Sequence, residues 1–339
     1  MKRMLFILIL LTIASCGEDK PVIKAEITDA DLDSILKIYP DSIPFLLRRG
    51  ELLVDEGKYA DALADAAHAY RLDSNNIDAR LLYAIALSNK IEKTVSDISD
   101  AQRHFHTIIK KRPKDVKALV GLASTYRLQE NYETTFKYVN EALRINPKYR
   151  DAYVLKGSTY LLMGNTKLAK SSYETAVQQD PDFFEAYIML GSLYQAENDP
   201  ICLQYYTTAN QLKPQDMDAI YALAYAKQVF GKLDEAKVLY REMAADTTDY
   251  YVERGLFHQA YIKQFGDEDL DSAIYFYRSA LVTNPMYVEA WYNLGLCYAD
   301  QKDKTRALQS FAKALKYGRQ FNYEKEFLDE IEKEAAKNK

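Results

Sequence analysis

The sequence predicts an all-α chain of stacked helical hairpins, on the basis of its composition and of a repeated spacing. Its 339 residues include only 12 glycines and 9 prolines, while alanine, leucine, tyrosine, lysine and glutamate are abundant, and this composition favours helices. Four prolines recur at intervals of 34, 34 and 33 residues, namely Pro113, Pro147, Pro181 and Pro214. A fixed period of this size is typical of a stacked repeat array.

The N-terminal segment is predicted to be an export signal followed by a lipid anchor. Lys2 and Arg3 precede an apolar run over residues 4–14, which is shorter than the roughly 20 residues that a bilayer span needs. The run ends in the letters IASC, residues 13–16, which resemble the lipobox of bacterial lipoproteins. That resemblance implies that residues 1–15 are a signal peptide and that Cys16 carries the lipid, including palmitate.

The predicted anchor places the chain on a membrane of a bacterial cell envelope. Removal of the signal peptide takes away Lys2 and Arg3, which changes the formal side-chain charge from −5 to −7 and argues against nucleic acid as a partner. Gly17 directly after the cysteine indicates the outer membrane, and Glu18-Asp19 resembles the export signal of surface lipoproteins in the Bacteroidetes. The periplasmic and the surface face therefore both remain open.

The repeat itself is clearest near the C-terminus. Residues 288–315 contain large and small apolar residues at fixed spacing, namely Trp291, Leu294, Gly295, Tyr298, Ala307, Phe311 and Ala314. This pattern resembles the tetratricopeptide repeat (TPR) at each of its diagnostic positions. In such a hairpin, a small residue such as Gly157, Gly191 or Gly295 on the first helix allows close approach of the second. The resemblance implies a TPR solenoid, a right-handed superhelix of helical hairpins.

Eight repeat units are predicted between two caps. Their ranges are 43–76, 77–115, 116–149, 150–183, 184–216, 217–250, 251–287 and 288–321. Residues 16–27 are expected to form a lipidated tether and residues 28–42 an N-terminal cap. Residues 322–339 carry an apolar stripe on a charged helix, which suits the capping helix that a solenoid needs over its last open face.

Two units are longer than the period. The second has about five extra residues around 90–99, which are expected to lengthen the loop between its helices. The seventh has about three extra residues near 266–269, and His258 falls where a small residue is expected. The register of the first helix in the seventh unit is therefore left open.

Residues that could carry chemistry are few, and no catalytic, cofactor or metal site is predicted. No phosphate-binding loop, zinc-protease motif or nucleophile elbow is present. Cys202 and Cys297 belong to no CxxC pair and are interpreted as small packing residues. The four histidines are interpreted as surface or interface residues, namely His68, His104, His106 and His258.

Two acidic strings resemble calcium-binding loops only superficially. Residues 29–33 read DADLD and residues 267–271 read DEDLD, but neither has the glycine or the final glutamate that such a loop requires. Both are predicted to supply helix N-caps instead, with Asp271 or Ser272 before the helix that follows the second string.

The concave groove of a TPR array, formed by the first helix of each hairpin, is the remaining candidate site. Transfer of the family's groove positions predicts a partner-binding set: Lys117, Arg127, Asp151, Glu185, Asp218, Tyr221, Tyr225, Gln228, Glu289, Tyr292 and Asp300. The carboxylate clamp of chaperone-tail binders is not among them, because valine, isoleucine, serine and tyrosine occupy its positions. Tyrosine is a residue type enriched at protein interfaces.

The sequence thus predicts a non-enzymatic, membrane-anchored scaffold that binds a peptide or protein partner in its groove for envelope assembly or maintenance. Two alternatives remain open. One is a structural subunit of a secretion, gliding or pilus complex, and the other is a lipoprotein that binds glycans on stacked tyrosines. The identity of the partner and the oligomeric state are not predicted.

Overall fold

A computed structural model describes residues 31–339, so the predicted signal peptide, Cys16 and the tether lie outside the described residues. Two compact units follow each other along the chain, and the boundary between Thr159 and Tyr160 falls within one helix. Within residues 31–339 every regular element is a helix, which confirms the all-α prediction.

The first unit consists of a short helix and a series of hairpins. Its helices are α1 (Leu32–Ile38), α2 (Ile43–Asp55), α3 (Tyr59–Leu72), α4 (Ile77–Asn89), α5 (Val95–Lys111), α6 (Val116–Leu128), α7 (Tyr132–Ile145) and α8 (Arg150–Leu162), which crosses the boundary. Consecutive helices from α2 to α7 pack on one another, and α4 also contacts α2 and α6. The first helices of successive hairpins are therefore neighbours.

The second unit continues with the same alternation. Its helices are α9 (Thr166–Gln179), α10 (Phe184–Ala196), α11 (Cys202–Leu212), α12 (Met217–Val229), α13 (Leu233–Ala244), α14 (Asp249–Phe265), α15 (Leu270–Thr283), α16 (Val288–Asp300), α17 (Lys304–Gln320) and α18 (Lys325–Lys337). Consecutive helices pack on one another, and α14 also contacts α16.

Prolines and polar caps determine where the helices begin and end. The helices α5, α7, α9 and α11 each end two residues before one of the four periodic prolines. Proline ends a helix because it lacks the backbone N–H and disfavours helical geometry in the residue before it. At the other end, side chains such as Asn131 and Asp216 accept hydrogen bonds from backbone N–H groups of the first turn.

Small residues set the distance between the two helices of a hairpin. A Cβ atom added to Gly191 of α10 would lie 2.5 Å from the Tyr206 ring of α11. Gly295 of α16 faces Phe311 of α17 in the same way, with a distance of 2.6 Å. Both rings are buried, so these glycines leave room for the large side chains that fill the hairpin.

The longer units differ from the sequence prediction in where their extra residues lie. In the second, α5 has 17 residues where α7 has 14, so part of the extra length extends this helix instead of the loop. In the seventh, the first helix, α14, has 17 residues and already begins at Asp249, before the predicted start of the unit. Ala260 is fully buried with Ala273 and Tyr277 of the facing helix, and so provides the small residue that was expected near His258.

The cap of α15 also differs by a few residues from its prediction. Asp269, and neither Asp271 nor Ser272, is the N-cap, and its side chain accepts a hydrogen bond from the Ser272 backbone N–H at 3.1 Å. Asp267 in the same acidic string pairs with Lys237 at 2.8 Å and with Lys263 at 3.0 Å. Asp269 therefore caps α15, whereas Asp267 links α13 and α14 through ion pairs.

The last helix covers the open face of the hairpin before it. Ile331 of α18 is fully buried in the cluster that contains Phe311 and Ala314 of α17. Cys202 and Cys297 are fully buried free thiols, as their interpretation as packing residues requires, and burial raises the pKa of Cys297 to about 12. Among the helices of residues 31–339, none is both long enough and apolar enough to cross a bilayer.

Candidate partner-binding surface

The predicted groove residues of the first unit are dispersed along its surface. Lys117 is exposed on α6, and Arg127 near the end of that helix is half-buried. Asp151 on α8 is half-buried and lies 2.7 Å from Nη2 of its neighbour Arg150. Lys117 and Asp151 occupy corresponding places in successive repeats, 34 residues apart.

Three predicted residues of the second unit are exposed acids. Glu185 on α10 accepts a hydrogen bond from Lys213 at 3.2 Å, and Asp300 is exposed near the end of α16. Asp218 on α12 accepts a hydrogen bond from the Tyr251 hydroxyl at 3.0 Å. Asp218 lies on the same helix as the predicted residues Tyr221, Tyr225 and Gln228.

The C-terminal segment covers two further predicted residues. Tyr292 is only 9% exposed, and its hydroxyl donates a hydrogen bond to Glu330 of α18 at 2.6 Å. The Tyr323 hydroxyl lies 3.1 Å from both carboxylate oxygens of Glu289. The prediction that Tyr292 faces an open groove is therefore wrong, because this helix packs on it, and Glu289 is held by the same segment.

The structure brings Tyr221, Tyr225 and Gln228 of α12 together with residues of α14 that were not predicted from the sequence. The rings of Tyr221 and Tyr225 stack with their centroids 6.2 Å apart. His258 of α14 lies against both rings, with its Nε2 3.4 Å from the Tyr221 hydroxyl and its Nδ1 3.1 Å from Oε1 of Gln228. Arg254, one turn earlier on α14, donates to the Tyr221 hydroxyl at 3.5 Å.

His258 forms the buried floor of this arrangement and is not a surface histidine. It is 8% exposed and stacks on the Tyr240 ring of α13, with the centroids 4.7 Å apart and the planes 7° from parallel. Burial, and to a lesser degree the nearby charge of Arg254, lowers the pKa of His258 to about 4, so the ring is neutral at pH 7. The neutral imidazole of His258 therefore contributes an aromatic surface to this site and no charge.

Arg254 is the cation at this surface. Its guanidinium lies over the Tyr250 ring at 4.3 Å and over the Tyr221 ring at 5.4 Å. Such contacts hold a guanidinium in place through the negative face of each ring. Its Nε atom is buried and has no hydrogen-bond partner among residues 31–339.

A pocket of about 350 Å³ opens beside Tyr225. Its lining residues are mostly apolar and come from α12, the start of α13 and α14: Tyr225, Gln228, Val229, Leu233, Tyr261, Ile262, Phe265 and Gly266. Tyr225, Val229, Tyr261 and Phe265 are exposed, with 38%, 47%, 38% and 53% of their surface accessible. Exposed apolar side chains that converge on a concavity are typical of a binding site.

We use the name α12–α14 surface for a set of six residues on these two helices: Tyr221, Tyr225, Gln228, Arg254, His258 and Tyr261. The half on α14 was not predicted from the sequence because the register of the first helix in the seventh unit was open. The sequence nevertheless contains a pattern that indicates this half. Aromatic and basic residues recur three or four positions apart, as one face of a helix requires: Tyr250, Arg254, His258 and Tyr261. Such a stripe is expected to face the first helix of the preceding repeat.

Comparison with known proteins supports the repeat assignment. Tetratricopeptide-repeat models match residues 94–150, 151–183 and 264–323. The Cut9–Hcn1 hetero-tetramer of the APC/C is similar in structure with a TM-score of 0.52 and 14% identity, over 91% of this chain and 58% of that one. Human IFIT1, crystallised as a dimer with m7Gppp-AAAA, has a TM-score of 0.51 and 16% identity, over 85% of this chain and 76% of that one.

A bacterial TPR protein is a third similar structure. TTC0263 of Thermus thermophilus has 22% identity and a TM-score of 0.48, over 55% of this chain and 98% of that one. No curated protein sequence matches the chain. At these identities the structural likeness shows the fold alone. The chain contains tetratricopeptide repeats, and its two units are all-α folds of the TPR solenoid class.

Proposed function

We propose that the protein is a non-enzymatic adaptor that binds a peptide or protein partner on the α12–α14 surface. The observation that carries this proposal is the stacked pair of α12 tyrosines, of which Tyr225 is exposed and Tyr221 half-buried, near an apolar pocket and a cation. Tyrosine and arginine are enriched among the residues that dominate binding energy at interfaces. The Tyr221 ring holds the Arg254 guanidinium in position, and the Tyr240 ring holds the imidazole of His258. The surface is therefore formed before a partner binds.

The lipobox-like residues 13–16 add a location to this proposal. A lipid on Cys16 would hold the chain at the outer membrane and raise the local concentration of any partner found there. The expected result is that the full-length protein partitions into the detergent phase of a Triton X-114 extract, whereas Cys16→Ala moves to the aqueous phase. Aqueous partitioning of the wild-type protein would rule out the anchor and leave the binding surface untouched.

The partner-binding claim is tested by crosslinking in the protein's own cells, followed by purification on a tag. A discrete partner is expected with the wild-type protein and is expected to be lost with the Tyr221→Ala/Tyr225→Ala double variant. Tyr275→Ala is the matched control, because Tyr275 is 66% exposed on α15 and lies outside the surface. Equal capture by the double variant and by the wild type would contradict the proposal.

Glycan binding is a second candidate, favoured by the stacking of Tyr221 on Tyr225. Aromatic faces of this kind can pack against sugar rings. It predicts saturable calorimetric binding of wall oligosaccharides to the purified protein, abolished by Tyr225→Ala. Absence of that heat, together with loss of a captured protein in the double variant, would decide for the adaptor.

A further inference from the structure

Arg254 is the half-buried cation of the α12–α14 surface, and its charge acts on the carboxyl of Glu253 without an ion pair between the two. Within residues 31–339 no aspartate or glutamate oxygen lies within ion-pair distance of its guanidinium. By contrast, Arg49 in the first unit pairs with both Asp65 and Asp33 at 2.7 Å. A half-buried guanidinium without an ion-pair partner can still pair with the carboxylate of a ligand.

Two acids, Glu253 and Glu289, lie in the neighbourhood of Arg254 without forming an ion pair with it. Glu253 and Glu289 both act electrostatically, together with Arg254, on the buried phenol of Tyr287. Glu289 accepts the hydrogen bonds from Tyr323. Glu253 is half-buried, and this burial raises the pKa of its carboxyl. Neither carboxylate lies within ion-pair distance of the guanidinium, and their negative charges would repel a polyanion more than a ligand with a single carboxylate.

The pocket beside Tyr225 supplies the second feature of the ligand. At about 350 Å³ it lies at the lower end of the range for binding pockets, enough for one large side chain. Its walls are the rings of Tyr225, Tyr261 and Phe265 and the side chains of Val229 and Leu233. Because those walls are apolar, an aromatic or branched aliphatic side chain gains most by entering.

The distance between the two features sets the spacing of the groups that can occupy both. Arg254 and Tyr261 are seven residues apart on α14, which corresponds to about 10.5 Å along the helix axis. The guanidinium carbon of Arg254 lies 5.4 Å from the centroid of the Tyr221 ring, which is itself 6.2 Å from the centroid of the Tyr225 ring. The guanidinium carbon therefore lies within about 12 Å of the Tyr225 ring. An extended chain covers this distance in about three residues.

We infer that the α12–α14 surface binds an extended peptide in which a large apolar side chain and a carboxylate lie about three positions apart. The apolar side chain enters the pocket beside Tyr225, and the carboxylate pairs with Arg254. This inference rests on the proposed adaptor function and names its ligand chemistry. A single carboxylate suits a single cation flanked by acids, whereas a nucleic-acid backbone requires several cations.

Fluorescence anisotropy with short peptides tests the inference on the full-length protein in detergent. Two fluorescein-labelled serine–glycine octapeptides are used, with phenylalanine and aspartate three positions apart in one order or in the other. At least one is expected to bind saturably. Replacement of its aspartate by asparagine, or of its phenylalanine by alanine, is expected to weaken binding at least ten-fold.

Variants assign the two contacts. Arg254→Gln is expected to lower the affinity for the aspartate peptide at least ten-fold and to leave the affinity for the asparagine peptide unchanged. Arg254→Lys is expected to retain part of the preference for the aspartate peptide. Arg241→Gln, at an exposed position of α13, is the matched control and is expected to bind like the wild type. Circular dichroism of each variant establishes that it is folded.

Three results would overturn the inference: no saturable binding by either peptide, equal binding of the aspartate and asparagine peptides, or tighter binding of hexauridylate than of the peptides. The adaptor proposal is separable from this outcome. A partner that is captured by the wild type and lost with Tyr221→Ala/Tyr225→Ala would stand even if neither peptide bound. In that case only the ligand chemistry assigned to Arg254 and the pocket would be wrong.

Discussion

Two clusters in this molecule use the same residue types for different ends. Each contains two tyrosines, an arginine and a histidine: Tyr70, Tyr83, Arg80 and His104 in the first unit, and Tyr221, Tyr225, Arg254 and His258 in the second. The tyrosine rings stack in both, with centroids 5.7 Å and 6.2 Å apart. Composition alone therefore does not distinguish them.

The difference lies in how fully each arginine is used by the fold. Arg80 donates to the Ser74 carbonyl at 2.8 Å and lies 3.2 Å from Nδ1 of His104, so its contacts tie neighbouring helices together. Arg254 has one long hydrogen bond, at 3.5 Å, with the Tyr221 hydroxyl, besides its contacts with the Tyr221 and Tyr250 rings, and it lies on the same helix as residues that line the pocket. Nε of both arginines is buried without a hydrogen-bond partner within residues 31–339, so what distinguishes Arg254 is its weaker hydrogen bonding to the fold and the pocket lined by residues of the same helix.

The largest expected difference between the clusters is in their response to acid. The pKa of His258 is lowered from 6.5 to about 4, so below pH 6.5 the unfolded chain binds a proton that the folded chain does not. Stability from this group is complete above pH 6.5 and falls as the pH drops towards 4, by up to about 3 kcal/mol. The free energy of unfolding is measured at each pH by urea unfolding, followed by the fluorescence of the single tryptophan, Trp291.

His258→Gln isolates this effect from the titration of carboxylates. The variant is expected to lose less stability than the wild type between pH 6.5 and 4. His104→Gln is the matched control in the first unit, where burial lowers the pKa of a half-buried histidine. A larger acid response from His104 than from His258 would contradict the assignment of the buried floor.

A smaller effect is expected from the close approach of α14 to α13. A Cβ atom on Gly255 would lie 2.6 Å from the Tyr240 carbonyl oxygen and 2.7 Å from the Ala244 nitrogen, both backbone atoms that cannot move alone. Gly255→Ala is therefore expected to cost about 2 kcal/mol of unfolding free energy in urea.

Gly50 in the first unit provides the comparison for this variant. There a Cβ atom would meet Cδ2 of Leu82 at 2.5 Å, at the end of a flexible side chain that can rotate away. Because alanine also favours helix by about 1 kcal/mol, Gly50→Ala is expected to stay within about 1 kcal/mol of the wild type. Equal losses at both positions would refute the distinction between backbone and side-chain contacts.

The smallest expected effect separates two buried phenols. Tyr277 donates to Oε1 of Gln264 at 2.9 Å, so Tyr277→Phe leaves a buried acceptor unpaired and is expected to cost about 1–2 kcal/mol. The hydroxyl of Tyr240 has no hydrogen-bond partner within residues 31–339, so Tyr240→Phe is expected to be neutral or slightly stabilising. Thermal unfolding of both variants measures their stabilities, and a greater loss of stability from Tyr240→Phe than from Tyr277→Phe would contradict this prediction.

Much of the fold could be predicted from the sequence because the repeat constrains it strongly. The period of the prolines, the small residues at Gly191 and Gly295 and the packing of both internal cysteines all follow from one hairpin pattern. Half of the candidate site was predictable for the same reason, since Tyr221, Tyr225 and Gln228 lie at groove positions of a regular unit.

The rest depends on departures from the pattern. Arg254 and His258 were missed because α14 begins earlier than the period suggests, which moves its register relative to the neighbouring repeats. Tyr292 was misplaced because α18 packs over the position that is open in a repeat with no helix beyond it. Both errors arise at irregular elements, where the consensus positions of a repeat no longer determine which side chains face outward.

The central claim, that the α12–α14 surface receives the partner while the first-unit cluster does not, is tested most directly by site-specific photocrosslinking in the protein's own cells. A benzoyl-phenylalanine is introduced in place of Tyr225 in one strain and of Tyr83 in another. A discrete crosslinked species is expected on illumination of the first strain and not of the second. A species formed only from the position of Tyr83 would contradict the account.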